Sequence, residues 1–361
     1  MKTKDLSPAA VPVREAVRVL AGAEACAFLA VRWPALYEEC REATPYQSRE
    51  WLCGWASQLP AGAQPLVVVC EGAGGPVAAL ALVREAGVVR ALGSPVAECI
   101  RPVGRAAEDA SVAGALVQEL RAMVRAGDAV EVADVPRASA LGRHLAGVAG
   151  WHGSMVPYAR VTLPVIYPAM VPEIRRGHAK RKSRWTRLTQ HSRVVVRRSR
   201  GPRELLADWE VLLRLHEERF GDLPAAAREL RAVLGGCAGI AFIASLTVED
   251  KPVAAQLCLH RRHRAYSLLA AMTADAEICR AGPGHALLRE LCDLLHAEGF
   301  ASFDLGRTRV DENGGGGQVA YKEAYGPGWE DLVTVTSRTA EQPPPRAGRL
   351  RPVPPADLPV P

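Results

Sequence analysis

The chain has 361 residues, 48% hydrophobic and 23% charged, a balance that supports a packed globular protein and excludes an intrinsically disordered one. At about 150 residues per domain, the length accommodates two domains. The net charge of +6 is uneven: residues 174–203 hold twelve Lys/Arg and no Asp or Glu, and the rest of the chain is acidic.

Residues 1–13 read as a short Pro-containing lead. Residues 14–42 read as helical, and the apolar run 16–31, broken by Arg18 and Glu24, is too charged for a membrane span or a signal-peptide core. No other window approaches 18 uncharged apolar residues, so the expected protein is soluble. Ser48 is a candidate N-cap for a helix through Trp51, Leu52 and Trp55. Strands are expected at 66–70 and 77–83 around the Gly-rich turn 72–75, then a helix at about 110–126 and a strand at 129–132. This α/β half ends near 165.

Pro172-Glu173 opens the second half as a helical first turn. The cationic helix runs to about Leu188 and a strand follows at 194–196. Such a segment points to a phosphate-bearing partner, the alternative being a solvated helix face. A helix over about 203–220 places Leu205, Trp209, Leu212, His216 and Phe220 on one face. Strands are expected at 240–248, 253–260 and 265–272, a helix at 284–298 and a strand at 301–305. His260-Arg-Arg-His263 reads as a hairpin turn. The tetraglycine 314–317 reads as a flexible loop, and the tail 341–361, with eight prolines, as extended or disordered. Two halves, 14–165 and 166–340, each helix-rich first and strand-rich second, suggest an internal duplication with two mixed sheets.

Nine scattered cysteines without a Cys-x-x-Cys pair give neither a disulfide framework nor a zinc site and fit a reducing cytoplasm. Gly-x-Ser-x-Gly, Walker A and His-Glu-x-x-His are absent, which removes support for serine hydrolase, P-loop ATPase and common zinc chemistry. The segment Arg280-Ala-Gly282-Pro-Gly284-His285 stands before a helix. Glycines there admit a ligand to the backbone, and free N–H groups with the positive dipole end suit pyrophosphate or another anion; the plain alternative is a strand–helix turn. His216 is a candidate general base or a core histidine. Asp304 is a second base, an orienting group or a structural ion-pair member. Lys322 is a candidate oxyanion donor or a surface lysine.

Taken in order, Tyr46-Gln-Ser-Arg-Glu-Trp51, the cationic helix ending Arg187-Leu188, Leu215-His216 with Arg219, Asp275 before Gly282-Pro-Gly284, Phe303-Asp-Leu-Gly-Arg307, and Tyr321-Lys322 with Tyr325 resemble the BioF2-like/CelD-like acetyltransferase domain family of the GNAT superfamily, related to the FemABX peptidyl transferases. The family usually has Ser-Pro-Gly at the turn and Arg-Gly after the strand; here Gly282-Pro-Gly284 and Arg307-Thr308 stand instead. Arg280 also precedes Gly282 by two residues rather than three.

The resemblance implies a tandem GNAT-like α/β fold and a cytoplasmic N-acyltransferase. The expected donor is acyl-CoA (acetyl-CoA or longer) and the expected acceptor an amine of a small molecule or of a cell-envelope or natural-product precursor. Together with the residue readings above, this gives Arg280, Gly282, Gly284, His285 and Arg307 as expected donor contacts, Lys322, Tyr321, His216 and Asp304 as expected catalytic groups, and Tyr266, Asp275, Arg181 and Arg187 as expected substrate contacts, without a metal. An aminoacyl-tRNA-dependent transferase and a non-catalytic nucleic-acid-binding protein using residues 174–203 are the alternatives.

Overall fold

Residues 66–70 and 241–246 are buried without a break, as expected of strands covered on both faces. The computed structural model describes residues 16–221, 226–308 and 317–337. The expected lead 1–13, most of the tetraglycine and the Pro-rich tail lie outside the described residues.

The first half runs β1 (Ala16–Ala21), α1 (Ala23–Val31), α2 (Trp33–Glu39), α3 (Arg49–Ser57), β2 (Gln64–Gly72), β3 (Gly75–Glu85), β4 (Val88–Ala91), α4 (Ala110–Arg125), β5 (Ala129–Pro136), α5 (Ala140–Ala146) and β6 (His152–Thr162). The second runs α6 (Pro172–Thr189), β7 (Val194–Arg198), α7 (Gly201–Phe220), α8 (Ala227–Gly236), β8 (Ala241–Val248), β9 (Lys251–Arg261), β10 (Arg264–Met272), α9 (Ala276–Ala281), α10 (Pro283–Ala297), β11 (Ser302–Arg307), α11 (Gly317–Glu323) and β12 (Gly328–Thr336).

The expected pair of sheets is replaced by one twelve-stranded sheet, ordered β1-β2-β3-β4-β5-β12-β6-β11-β10-β9-β8-β7. Read from either edge, five strands are followed by the last strand of the other half and then by the half's own last strand. The repeat is therefore interleaved: β12 pairs antiparallel with both β5 and β6, and β6 pairs with β11. In each half the fourth and fifth strands are parallel, β4 with β5 and β10 with β11. The remaining pairs are antiparallel.

The start of the expected helix 14–42 is strand β1, which pairs with β2 from Ala16↔Glu71 to Ala21↔Leu66. β-branched Val17 and Val19 suit an edge strand, and Gly22 at φ 57 ends it. Ser48 caps α3, its hydroxyl accepting the Trp51 amide at 3.2 Å. His260–His263 forms the β9–β10 hairpin connection, with Arg262 at φ 50. The Gly-Pro-Gly segment does not join a strand directly to a helix. Asp275 accepts the Glu277 and Ile278 amides and caps the short α9, and Gly282, left-handed at φ 77, separates α9 from α10.

Two cores sandwich the second half of the sheet. Leu212 and Leu215 of α7 pack with Ile243, Leu257 and Leu259. Leu287, Leu288 and Leu291 of α10 pack with Phe242, Cys258 and Phe303, together with Trp185 of α6 and Tyr325. Consecutive residues Phe242 and Ile243 serve different cores, so α7 and α10 cover opposite faces. Among the described residues no helix is long and apolar enough to cross a membrane.

Candidate functional site

The parallel ladder between β10 and β11 covers only three positions, Arg264↔Ser302 to Tyr266↔Asp304. Just beyond it each strand is irregular: β10 skips Leu268 in its pairing with β9, and β11 skips Leu305 in its pairing with β6. The strands part at Gly306. Its φ is 77°, and an added Cβ would lie 3.1 Å from Glu98 Oε2 and 3.3 Å from the Ser267 carbonyl oxygen. Only glycine fits that bend without strain.

Lys322, on α11, reaches this bend from the other side. The residue is 7% exposed, and its ammonium donates to Gly306 O, Arg307 O and Thr308 Oγ1, each at 2.8 Å. All three N–H groups are used. Burial pulls its pKa down to about 8 against the raising effect of Glu98. Arg307 is held by three groups of the first half: Nε lies 3.2 Å from Glu98 Oε1, NH1 donates to Asp134, and NH2 donates to Pro95 O at 2.7 Å. Glu98 is pushed up to about 7, chiefly by burial and in spite of Arg307. The seam between the halves thus carries two carboxylates and two cations in a nearly dry setting, where charges interact strongly.

A second cluster surrounds the start of α10. The His285 ring lies 4.5 Å from Tyr321 and stacks at 5.8 Å on Tyr325, which faces His178; His178 in turn meets Tyr167 at 4.6 Å. His285 Nδ1 is 3.1 Å from Tyr325 Oη, and Tyr321 donates to Gly284 O at 3.1 Å. Burial, then the nearby cations Arg181, His178 and Arg289, drive His285 down to about 3, so it is neutral at physiological pH. Arg181 is half-buried, has a buried Nε without a hydrogen-bond partner, and has no acidic partner among the described residues. Burial lowers its pKa too. Gly284 has room, an added Cβ meeting Met272 Sδ at 3.8 Å and Tyr321 Oη at 3.9 Å. An unneutralised guanidinium beside a helix N-terminus suits an anion.

The expected residues therefore divide. Gly282, Gly284, His285, Tyr321 and Arg181 come together at α10, and Lys322 and Arg307 at the seam; Tyr321 and Lys322, adjacent on α11, link the two places. Asp304 is fully buried with both oxygens taken, by Tyr158 at 3.1 Å, Arg160 at 2.7 Å and Arg264 at 3.5 Å. Tyr266 is buried beside it, its ring 6.2 Å from Tyr46. His216 lies on α7, across the sheet from α10 and α11; its Nδ1 is unpartnered, its ring packs 4.9 Å from Phe220, and burial lowers its pKa. Asp275 and Arg280 are exposed on α9, and Arg187 is exposed on α6 with Arg175, Lys180, Lys182 and Arg184.

Glu98, Asp134 and His178 were not legible as site residues. Glu98 and Asp134 do leave a trace: each is a lone acid inside an apolar run, Val-Ala-Glu98-Cys-Ile and Val-Ala-Asp134-Val. Among the described residues no group of three or more His, Cys, Asp or Glu side chains could hold a metal ion.

Residues 175–323 match the family described as "Acetyltransferase (GNAT) domain". No curated protein matches the sequence. Among solved structures the chain is similar to FemX (TM-score 0.58, 11% identity, 84% of this chain and 94% of that one). It is also similar to L-PGS from Bacillus licheniformis (TM-score 0.52, 16% identity, 74% and 83%). A tandem GNAT protein from the clavulanic acid biosynthesis pathway is similar over 90% of this chain and 100% of its own (TM-score 0.51, 12% identity). At these identities the likeness concerns the fold.

Proposed function

We propose, from the premise that this chain is an acyltransferase with a GNAT domain in a tandem, Fem-like GNAT-superfamily fold, that it moves the acyl group of an acyl-CoA onto a primary amine. The acceptor class is a small molecule or a cell-envelope or natural-product precursor, met in the cytoplasm. The carrying observation is the unmatched positive charge at the start of α10, where Arg181 and the first-turn amides face no acid. That arrangement supports a donor bearing phosphates.

In this reading Gly282 and Gly284 admit the pyrophosphate, and Tyr321 and His285 wall the site. The thioester lies along the opening between β10 and β11. Lys322 exchanges its Thr308 contact for the oxyanion that develops on the acyl carbonyl. Positioning and this electrostatic contact carry most of the rate, because a thioester is already activated.

A second reading, an aminoacyl-tRNA donor, is favoured by one observation. Among the described residues the exposed cations Arg175, Lys180, Lys182, Arg184 and Arg187 of α6 form no salt bridge, though Lys182 lies within electrostatic reach of Asp293. Calorimetry separates the two. Gly284→Val should weaken acetyl-CoA at least about tenfold at unchanged melting temperature, and Lys180, Lys182 and Arg184 changed to Glu should leave acetyl-CoA affinity within about twofold. A donor lost on charge reversal, with a salt dependence far steeper than a few phosphates give, is instead tRNA. Unchanged acetyl-CoA affinity in Gly284→Val overturns the α10 assignment.

A further inference from the structure

Two polar atoms of the first half remain unsatisfied at the seam with the second. Glu98 lies in the connection between β4 and α4 and is 6% exposed. Its Oε1 is held by Arg307 Nε at 3.2 Å, while its Oε2 has no hydrogen-bond partner and is turned toward Gly306. Tyr46 is 1% exposed, its hydroxyl is also without a partner, and Glu98 is its strongest electrostatic neighbour. A buried polar atom left unpaired costs about 1–3 kcal/mol. The Glu98 oxygen faces the Gly306 bend, where parallel strands open, and marks a place that a polar ligand completes.

We propose that Glu98 is the general base for the acceptor amine, and that the acceptor binds at Gly306 between a carboxylate from the first half and Lys322 from the second. The inference rests on the acyltransferase reading and adds the residue that prepares the nucleophile. An acceptor arriving as R–NH3+ gives one proton to Glu98 Oε2. The amine lone pair then forms the C–N bond while the carbonyl π pair moves to oxygen, beside Lys322. Collapse re-forms the carbonyl and breaks the C–S bond; the second nitrogen proton passes to the departing thiolate, and Glu98 later returns its proton to solvent. The sum is one ammonium and one thioester giving one amide, one thiol and one proton.

Tyr46, whose hydroxyl shares the seam, is suited to orient the amine. Clamping of Arg307 by Glu98 and Asp134 fixes the Glu98 carboxyl on the side away from Oε2. The groups that bear on its titration are Arg307 and Lys322, which favour the carboxylate, and Asp134, which opposes it. With burial dominant and a value of about 7, the carboxyl changes state near neutrality, where a base is most effective.

The test follows thiol release from acetyl-CoA with a panel of primary amines (an amino sugar, a polyamine and lysine), and amide or ester transfer from aminoacyl-tRNA to the same panel. Wild-type kcat/KM is expected to rise with pH through about 7 as Glu98 loses its proton. Glu98→Gln should lower kcat on the order of 10²-fold or more and abolish that rise, with a melting temperature near wild type. Glu98→Ala should regain activity with added formate, which a purely structural carboxylate would not produce. Wild-type kcat and pH profile retained in Glu98→Gln overturn the inference and leave the acyltransferase reading standing. Absence of turnover by the wild type with every donor overturns that reading, and the inference falls with it.

Discussion

In the first half, the connection that leads into α4 ends in Glu108-Asp109. Glu108 pairs with Arg101 at 2.7 Å and accepts the amide of Ala140, the first residue of α5, at 2.8 Å, while Asp109 stands at the N-cap of α4 without a side-chain capping hydrogen bond. In the second half, the connection into α10 ends in Gly282-Pro283-Gly284 and brings no acid, and Arg181 leans in with an unpartnered Nε. Both helices present the same positive dipole end. The first has an acid at its N-cap position; the second has none there and none in its first turn. The junction repeats the lesson. Each half has a left-handed bend late in its fifth strand, at Asp134 (φ 57) and at Gly306 (φ 77). The first bend supplies a carboxylate that holds Arg307, and the second opens space beside Glu98. The two halves repeat one scaffold, and the charge at these matching places differs between them.

The interleaved strand is where this comparison breaks most severely. Leu332 of β12 is 1% exposed and packs with Cys99 and Tyr158 of the first half. Leu332→Ala should cost about 2–5 kcal/mol, read in urea denaturation. Because β12 lies between β5 and β6, the loss should appear in one transition common to tryptophan fluorescence and circular dichroism. Two separated transitions would mean that the halves fold independently and that the single sheet is not a cooperative unit.

Lys322 sharpens the comparison at the next level. α5, the counterpart of α11 in the repeat, carries no lysine. Lys322→Met keeps the aliphatic stem, removes three donors and strands Gly306 O, Arg307 O and Thr308 Oγ1. If Lys322 meets the oxyanion, kcat should fall on the order of 10²–10³-fold with little change in KM, and Lys322→Arg should rescue only part. A lysine that only ties β11 to α11 would lower the melting temperature and spare the turnover of the folded enzyme. The pH dependence has a definite sign. The folded-state value of about 8 lies below the ordinary lysine value, so the unfolded chain binds this proton more tightly. Stability should rise as pH goes from 8 to 10, and Lys322→Met should remove that rise.

Much of the framework was legible because it depends on periodicity. The buried run 66–70, the Ser48 cap and the single face of α7 all read from local pattern, since each is set by neighbours a few residues away. β1 misled because a six-residue edge strand running into a helix leaves no room for alternation to show, and its partner β2 lies about fifty residues on. The single sheet was hidden for the same reason on a larger scale: the place of β12 beside β5 is a pairing of residues about two hundred apart. The site divided along that line. Gly282, Gly284, His285 and Tyr321 were found as a turn and a helix, and they meet. Glu98 was missed because the groups it meets, Arg307 and Gly306, lie across the seam. His216 looked like a base from its helix face, yet that face packs on the opposite side of the sheet from α11.

The smallest effect tests whether the start of α10 is as dry and cationic as the comparison requires. The first turn of α4 carries no histidine, whereas α10 carries His285, held at about 3 by burial and by Arg181, His178 and Arg289. The unfolded chain takes up this proton near the ordinary histidine value, so wild-type stability must fall as pH drops through and below it, by roughly 2 kcal/mol near pH 5 from this residue. His285→Phe keeps a ring between Tyr321 and Tyr325 and gives up the contact with Tyr325 Oη. At pH 7 the variant should be less stable by about 1 kcal/mol, the usual net worth of one hydrogen bond. At pH 5 it should equal or exceed the wild type. Burial also lowers His178, His216 and His260, but these are common to both proteins and largely cancel in the difference. Parallel stability curves would show that His285 titrates as an exposed ring does and that the pocket is open to water. Phosphates bound at α10 would favour the imidazolium, so saturating CoA should move the crossing of the two curves to lower pH.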